Sequence, residues 1–345
     1  MIAGIVGATG YGGMELFRLL STHPQIKNIQ LYSSSQAGED FETIYPQLES
    51  NKRHTLRDLE AEVMKEECDV IFLATPAGVS SRLTPDLQGG KAKVIDLSGD
   101  LRLKNPDEYK EWYKKDAAPT GVLETAVYGL PEWNQEAIKQ TDVIANPGCY
   151  PTATLLGLGP VIQGQLAERS SVIIDAKSGV SGAGKNPNPL THFAHAQENF
   201  QIYKVNQHQH IPEIEQQLEQ WDGSTEPVTF STHLVPMTRG IMATIYFTLK
   251  EDLSTEELLA RYRDHYAAHP FVRIREAGQF PCTKDVYQSN YCDIGLTIDR
   301  RTKRVTVVSV IDNLMKGAAS QAVQNMNLVF GIEETAGLPE RPVYP

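Results

Sequence analysis

Met1-Ile2-Ala3-Gly4-Ile5-Val6-Gly7-Ala8-Thr9-Gly10-Tyr11-Gly12-Gly13-Met14-Glu15-Leu16-Phe17-Arg18-Leu19-Leu20 is the stretch that decides the fold of the first half of this chain. Ile2 to Val6 reads as a strand, and Gly13 to Leu20 as a helix with Leu16, Leu19 and Leu20 on one face. Glycines at the bend between them let the backbone turn tightly and come close to a pyrophosphate, whose charge the helix N-terminus favours. The spacing is G-x-x-G-x-x-G rather than the commoner G-x-G-x-x-G, and a plain tight turn uses the same residues. Its place at a first strand–helix junction carries the reading. Gly7, Thr9, Gly10, Tyr11, Gly12 and Gly13 are therefore the dinucleotide-binding candidates.

The alternation continues outward from there. Ile29 to Tyr32, Val70 to Leu73 and Val94 to Leu97 repeat the strand signal, and Val143-Ile144-Ala145 reads as a late strand ending at Asn146-Pro147-Gly148. Such βαβ alternation predicts a parallel sheet. The texture then changes. Val172 to Asp175, Val228 to Val235, Ile241 to Leu249, Tyr291 to Ile298 and Val305 to Ile311 are β-rich, the last two joined by a polar turn at Asp299 to Arg304. Helices are expected at Pro151 to Ile162, Pro212 to Trp221, Thr255 to Ala268 and about Asn313 to Val329. An α/β domain followed by an α+β domain with a larger, partly antiparallel sheet is the organisation predicted.

Composition narrows the function classes. The 345 residues carry 32 Lys and Arg against 43 Asp and Glu, a net charge of −11. No basic patch stands out, which argues against nucleic acid or an anionic membrane as partner and leaves small anions open. No apolar run approaches the roughly 20 residues of a membrane-spanning helix. The opening residues lack the basic segment of a signal peptide. Cys68, Cys149, Cys282 and Cys292 form no CxxC pair, which fits a reducing compartment and a cytoplasmic location.

Tyr32-Ser33-Ser34-Ser35 ends the second strand where an acidic residue would hold the ribose 2′-hydroxyl of NAD and repel a 2′-phosphate. Hydroxyls at Ser33 and Ser34 favour NADP(H); a simple turn is the alternative use.

Asn146-Pro147-Gly148-Cys149-Tyr150-Pro151-Thr152 is the most informative stretch for chemistry. Pro151 suits the first helical position, so Cys149 sits at or just before a helix start. The positive end of the helix dipole there stabilises a thiolate, which a packed structural cysteine does not need. Cys68 and Cys292 border apolar strands and read as small buried side chains. Cys282 lies in a loop and carries no assignment.

A thiolate nucleophile works with a general acid or base. His208-Gln209-His210-Ile211-Pro212-Glu213 is the densest histidine site, and Pro212 again marks a helix start. His210 would precede that helix, and Glu213 either orients its imidazole or suits the dipole. Two histidines at i and i+2 make a poor zinc site, so no metal is assigned. His192 and His195 lie one helical turn apart and read as part of a core or an interface.

Three segments suit anions. Lys177-Ser178-Gly179-Val180-Ser181-Gly182-Ala183-Gly184-Lys185 is glycine-rich after a strand, without the ending of a P-loop; a surface loop is its bland alternative. Arg102 in Asp96 to Arg102, and Arg239 in Pro236 to Gly240, each follow a strand and suit a bidentate clamp on carboxylate or phosphate, or a surface ion pair.

Together these segments resemble the N-acetyl-γ-glutamyl-phosphate reductase family, related to aspartate-semialdehyde dehydrogenase. The resemblance covers Gly7 to Gly13, Asp96 to Arg102, Tyr128 to Glu132, Asn146 to Pro151, Lys177 to Gly184, His208 to Glu213, His233 to Gly240 and Lys316 to Asn327. Asn-Pro-Gly-Cys-Tyr-Pro-Thr with a later His-x-His-x-Pro-Glu is its most specific combination. Two departures stand out. Thr75-Pro76-Ala77-Gly78 replaces the family's Leu-Pro-His-Gly, and Ser98-Gly99-Asp100-Leu101-Arg102 replaces Ser-Ala-Asp-Phe-Arg.

The resemblance implies an N-terminal Rossmann-type, doubly wound parallel sheet at 1–148, completed by a C-terminal helical segment at 313–345. It implies a glyceraldehyde-phosphate-dehydrogenase-like catalytic and oligomerisation domain at 149–312, in a homo-oligomer, dimer or tetramer. By the same resemblance Cys149, His210 and Glu213 are catalytic. Pro76, Ser178, Gly179, Asn313 and Gly317 join the cofactor set, and Arg102, Asn146, Ser178 and Arg239 hold an anionic acyl-phosphate substrate. The implied chemistry is attack of the Cys149 thiolate on the acyl phosphate, reduction of the thioester by NADPH, and proton donation by His210. A carrier-protein-linked reductase of lysine biosynthesis and a non-catalytic redox sensor are the rival readings; the first would want a basic rim, the second needs no positioned acid.

Overall fold

Strands covered on both faces need unbroken apolar side chains, and Val70-Ile71-Phe72-Leu73 supplies them: all four residues are buried. The computed structural model describes residues 1–49 and 53–344. Its first strands are β1 (Ile2–Val6), β2 (Asn28–Tyr32), β3 (Val70–Leu73), β4 (Lys93–Asp96), β5 (Val127–Tyr128) and β6 (Val143–Ala145). They form one sheet in the order β2-β1-β3-β4-β6-β5, and every pairing in it is parallel. The chain runs outward from β1 to β2 on one side and to β3 on the other. That reversal makes a crevice at the carboxyl ends of β1 and β3, where sheets of this kind bind ligands.

The remaining strands are β7 (Ile173–Gly179), β8 (Gln201–Tyr203), β9 (Thr229–Val235), β10 (Ile241–Thr248), β11 (Val272–Ile274), β12 (Cys292–Asp299) and β13 (Arg304–Ile311). Among the described residues they form a second, mixed sheet in the order β11-β12-β13-β10-β7-β9-β8. Its centre is antiparallel, with β10 between β7 and β13, and β7 pairs β9 in parallel. Alternate residues of β10 are buried, as expected where one face packs on helices. The Cys149–Gln163 helix covers that face and is buried nearly all round.

By contacts the chain divides into two units, Met1–Pro147 with Ala318–Leu338, and Gly148–Gly317 with Pro339–Pro345. Residues 313–317 thus group with the second unit: Asn313 binds Gly240 and Ser181 there. The segment expected as one helix from about Asn313 is helical in two parts, a π-helical Met315–Ala319 and an α-helical Ser320–Val329. Gly331, with φ +63°, ends it. Further on, the N–H of Val343 donates to Tyr287 and the hydroxyl of Tyr291 to Glu340, which ties the tail to the second unit. Pro345, the end of the expected segment, lies outside the described residues.

Candidate functional site

Cys149 is the first residue of its helix, with Gly148 in extended conformation as the cap and Pro151 third rather than first. A proline is equally at home there, because the first four N–H groups of a helix have no internal partner. His210 repeats the arrangement as the first residue of the His210–Asp222 helix, with Pro212 third. It therefore begins that helix instead of preceding it. Both chemical side chains occupy helix N-termini, where dipoles favour negative charge.

The two helices pack together, and Glu213 joins their starts. Its fully buried carboxylate accepts the N–H of Gly148 at 2.8 Å. The other carboxylate oxygen stands 4.0 Å from His210 Nε2, ion-pair range but longer than a hydrogen bond. Tyr150, the residue after Cys149, sets its ring edge-on to His210 with centroids 6.0 Å apart. Residues on either side of Cys149 thus touch Glu213 and His210.

A shell that the sequence did not single out supports this centre. His208 is buried beside His210, ring centroids 4.7 Å apart, and its Nδ1 accepts the N–H of His210 at 3.1 Å. Burial, and then the charge of Lys204, drive the His208 imidazole down to about 3, so it is neutral. Tyr150 and Tyr203 meet through their hydroxyls at 3.1 Å, and burial pushes Tyr203 up to about 12. The aromatic edge contacts of Tyr150, His208 and Phe230 complete the packing. The signal for His208 was its place in the His-x-His pair; nothing local marked Tyr203.

Across the same unit, Asn313 is a clamp: its carbonyl accepts Gly240 N–H at 2.7 Å and its amide donates to Ser181 Oγ at 3.0 Å. Arg239 lies 3.7 Å from the buried Asp312 carboxylate, so it is not a surface ion pair. Burial pushes the Asp312 carboxyl up, and Arg239 and three backbone N–H groups partly offset this. The segment read as a glycine-rich loop is in fact strand β7 as far as Gly179, with a 3-10 turn at Val180–Ala183. Ser178 is 1 % exposed. A Cβ on Gly179 would lie 2.7 Å from the carbonyl oxygen of Thr238, so that glycine is demanded by backbone contact. Lys177 pairs with Asp175 at 2.6 Å rather than facing a cradle. His192 and His195 are exposed on a short helical turn, outside any core.

In the first unit the glycines divide into two kinds. A Cβ on Gly7 would stand 2.4 Å from the carbonyl oxygen of Ala74, and one on Gly13 2.4 Å from that of Gly7. These two close the turn. At Gly10 and Gly12 an added Cβ would come no closer than 3.5 and 4.0 Å to its neighbours, ordinary van der Waals contact without a clash. Gly10 caps the Tyr11–Leu20 helix with no side-chain hydrogen bond, and the hydroxyl of Tyr45 braces Thr9 O at 2.9 Å. Uncrowded glycines at the cap and in the first turn of a helix start without a side-chain cap fit a dinucleotide pyrophosphate. Pro76 follows β3 across the crevice and is exposed, Ser34 is exposed after β2, and Ser33 is buried with its N–H on Arg57 O.

Arg102 and Asn146 behave differently from a surface clamp. Arg102 is buried and donates Nε to Asn146 O at 2.8 Å and a terminal nitrogen to Leu97 O at 3.1 Å. The Asn146 amide donates to Ala318 O at 3.1 Å and accepts from Asn325 at 3.0 Å. Both lock the turns after β4 and β6. Asp100 does the same for the turn after β3, accepting the N–H groups of Gly78 and Ser81 and the hydroxyl of Tyr109. Cys68 and Cys292 are fully buried. Among the described residues no group of three or more His, Cys, Asp or Glu is placed to hold a metal ion, and no helix is long and apolar enough to cross a membrane.

Comparison with known proteins adds to this geometry. Residues 2–141 match the profile described as semialdehyde dehydrogenase, NAD binding domain, and residues 149–313 the one described as semialdehyde dehydrogenase, dimerisation domain. An N-acetyl-gamma-glutamyl-phosphate reductase of Halalkalibacterium halodurans is 56% identical over 345 residues, covering 100% of both chains. One from Geobacillus sp. is 56% identical over 341 residues, 99% of each. Among solved structures, aspartate semialdehyde dehydrogenase II of Vibrio cholerae superposes with a TM-score of 0.73 over 96% of this chain and 98% of that one, at 18% identity. The Candida albicans aspartate semialdehyde dehydrogenase, solved with NADP, gives 0.70 over 95% and 98%, at 16% identity. At such identity the structural likeness shows the fold alone.

Proposed function

The chain belongs to the N-acetyl-gamma-glutamyl-phosphate reductase family, and we propose that it reduces N-acetyl-γ-glutamyl phosphate to the 5-semialdehyde and inorganic phosphate, with NADPH, through a thioester on Cys149. The observation that carries the reading is the pairing of two helix starts, one bearing Cys149 and the other His210, tied by Glu213 to Gly148.

The Cys149 thiolate, favoured at its helix N-terminus, adds to the acyl carbon; the C–O bond to phosphate breaks and a thioester remains. Bound NADPH supplies the hydride that reduces this thioester. His210 gives its proton to the oxygen that becomes negative, and takes it back as the C–S bond breaks to release aldehyde and thiolate. Glu213 fixes the imidazole and stabilises its charged form across 4.0 Å. Arg239 and Ser178 receive the anionic groups of the substrate, and Arg102 and Asn146 hold the turns after β4 and β6 in shape. Gly10 and Gly12 receive the pyrophosphate, with Ser34 at the 2′-phosphate. A homo-oligomer built through the second unit accompanies this reading, supported by the profile named for dimerisation.

The test runs the reaction backwards. Purified protein with N-acetylglutamate semialdehyde, NADP and phosphate should form NADPH only when phosphate is present, and C149A should form none while still binding NADPH. Phosphate-independent reduction, or turnover by C149A, would overturn the covalent route.

A further inference from the structure

Gly317 meets Cys149 in the second unit. A Cβ built on Gly317 would lie 2.9 Å from Cys149 Cβ, closer than real side chains come, and a tight 3.3 Å from both Cys149 Cα and Asp312 O. We propose that Gly317 is a positioning residue for Cys149: its bare α-carbon backs the nucleophile and fixes where the thiol stands at its helix start. This rests on the reading of Cys149 as nucleophile.

The backing is rigid because the turn that carries it is anchored on several sides. Met315–Ala319 is π-helical, and the N–H of Gly317 reaches back five residues to Asp312 O at 3.0 Å. The widened turn of a π-helix brings an α-carbon where an α-helix would not, and such turns gather at functional sites. The buried Asp312 carboxylate accepts the N–H groups of Gln288, Leu314 and Met315 at 2.8, 2.9 and 3.1 Å. Lys316, with no exposed surface, carries its ammonium 5.9 Å from the Phe271 ring centroid. With the turn anchored at Asp312 and Lys316 buried, Gly317 has little freedom to recede from an added methyl. The shortest contact is to Cys149, so the displacement falls chiefly there and shifts the thiol within the first turn, where the dipole acts most strongly.

Two readouts test this without any turnover. The first is a double-mutant cycle in thermal unfolding with G317A, C149G and the pair. G317A lowers the midpoint in the parent protein and lowers it less in C149G, whose missing Cβ removes the shortest of the three contacts. Additive losses would overturn the proposal, as would failure of both G317A and the double variant to fold. Should G317A alone fail to fold, rescue by C149G supports it. The second readout is iodoacetamide labelling of Cys149 against pH, followed by mass spectrometry in protein free of cofactor. We expect the midpoint in G317A to rise by about one pH unit, so that labelling slows by up to roughly tenfold at pH values below the parent midpoint. An unchanged profile in folded G317A would sink the idea, whereas turnover by C149A would count against the nucleophile assignment and leave the steric pairing standing.

Discussion

The carboxylate of Glu213 accepts a hydrogen bond from the backbone N–H of Gly148 at 2.8 Å. Glu213 is the fourth residue of the helix that His210 begins, and Gly148 caps the helix that Cys149 begins. One buried side chain therefore sets the distance between two helix starts and leaves its second oxygen toward the imidazole.

That double duty separates two substitutions. Glutamine keeps an acceptor for Gly148 and loses the charge facing His210, so E213Q should retain most of its stability while kcat falls about tenfold or more with little change in KM. Alanine strands a buried N–H, and E213A should lose a further ~1–3 kcal/mol in denaturant unfolding. If the two variants proved equally stable, Glu213 would not be the tie between the helices.

The glycine turn gives a second contrast. Gly7, at φ +78° and under 3 Å from the Ala74 carbonyl once a Cβ is added, cannot accept a side chain, and Gly13 is as crowded. G7A and G13A should each cost more than about 2 kcal/mol of stability. Gly10 and Gly12 can each accept a methyl without a clash, so G10A and G12A should unfold like the parent and yet bind NADPH more weakly, by fluorescence titration. Unaltered binding in both would place the pyrophosphate elsewhere.

How far the sequence alone reached follows from what each signal depends on. Val70 to Leu73 and Val143 to Ala145 could be read to the residue because a buried strand shows in its own side chains. Val127–Tyr128, Gln201–Tyr203 and Val272–Ile274 could not: strands this short have no periodicity, and they exist because β6, β9 and β12 offer them a partner. Cys149 and His210 announced themselves through the proline two residues on. The reach of Glu213 to Gly148, and the burial of Arg102 against Asn146 O, were invisible because each depends on packing between segments far apart in the chain.

Cofactor preference is testable at the end of β2. Ser34 is exposed there, whereas Ser33 is buried, so Ser34 is the hydroxyl available to a 2′-phosphate. An aspartate at that position would repel the phosphate and hold a free ribose hydroxyl. S34D should raise the KM for NADPH about tenfold or more, improve the use of NADH, and leave the unfolding midpoint unchanged. Equal KM values for NADPH in parent and variant would remove Ser34 from the site.

His208 supplies a pH signature. Its folded value of about 3 lies below the ordinary 6.5, because burial and the Lys204 charge oppose protonation. As pH falls below about 6.5 the unfolded chain takes up the proton and the folded chain does not, so stability present above that pH is lost progressively toward pH 3. Between pH 7 and pH 5 this one group should cost about 2 kcal/mol. Asn at this position can still accept the His210 N–H, since an Asx side chain makes the same two-residue reach, but it does not titrate. H208N should therefore keep the helix start and show a pH dependence of unfolding flatter by that amount. A parallel curve for parent and H208N, measured by denaturant unfolding at the two pH values, would mean that His208 takes up its proton alike in the folded and unfolded protein, and so is charged at pH 5 with its Nδ1 no longer accepting from His210.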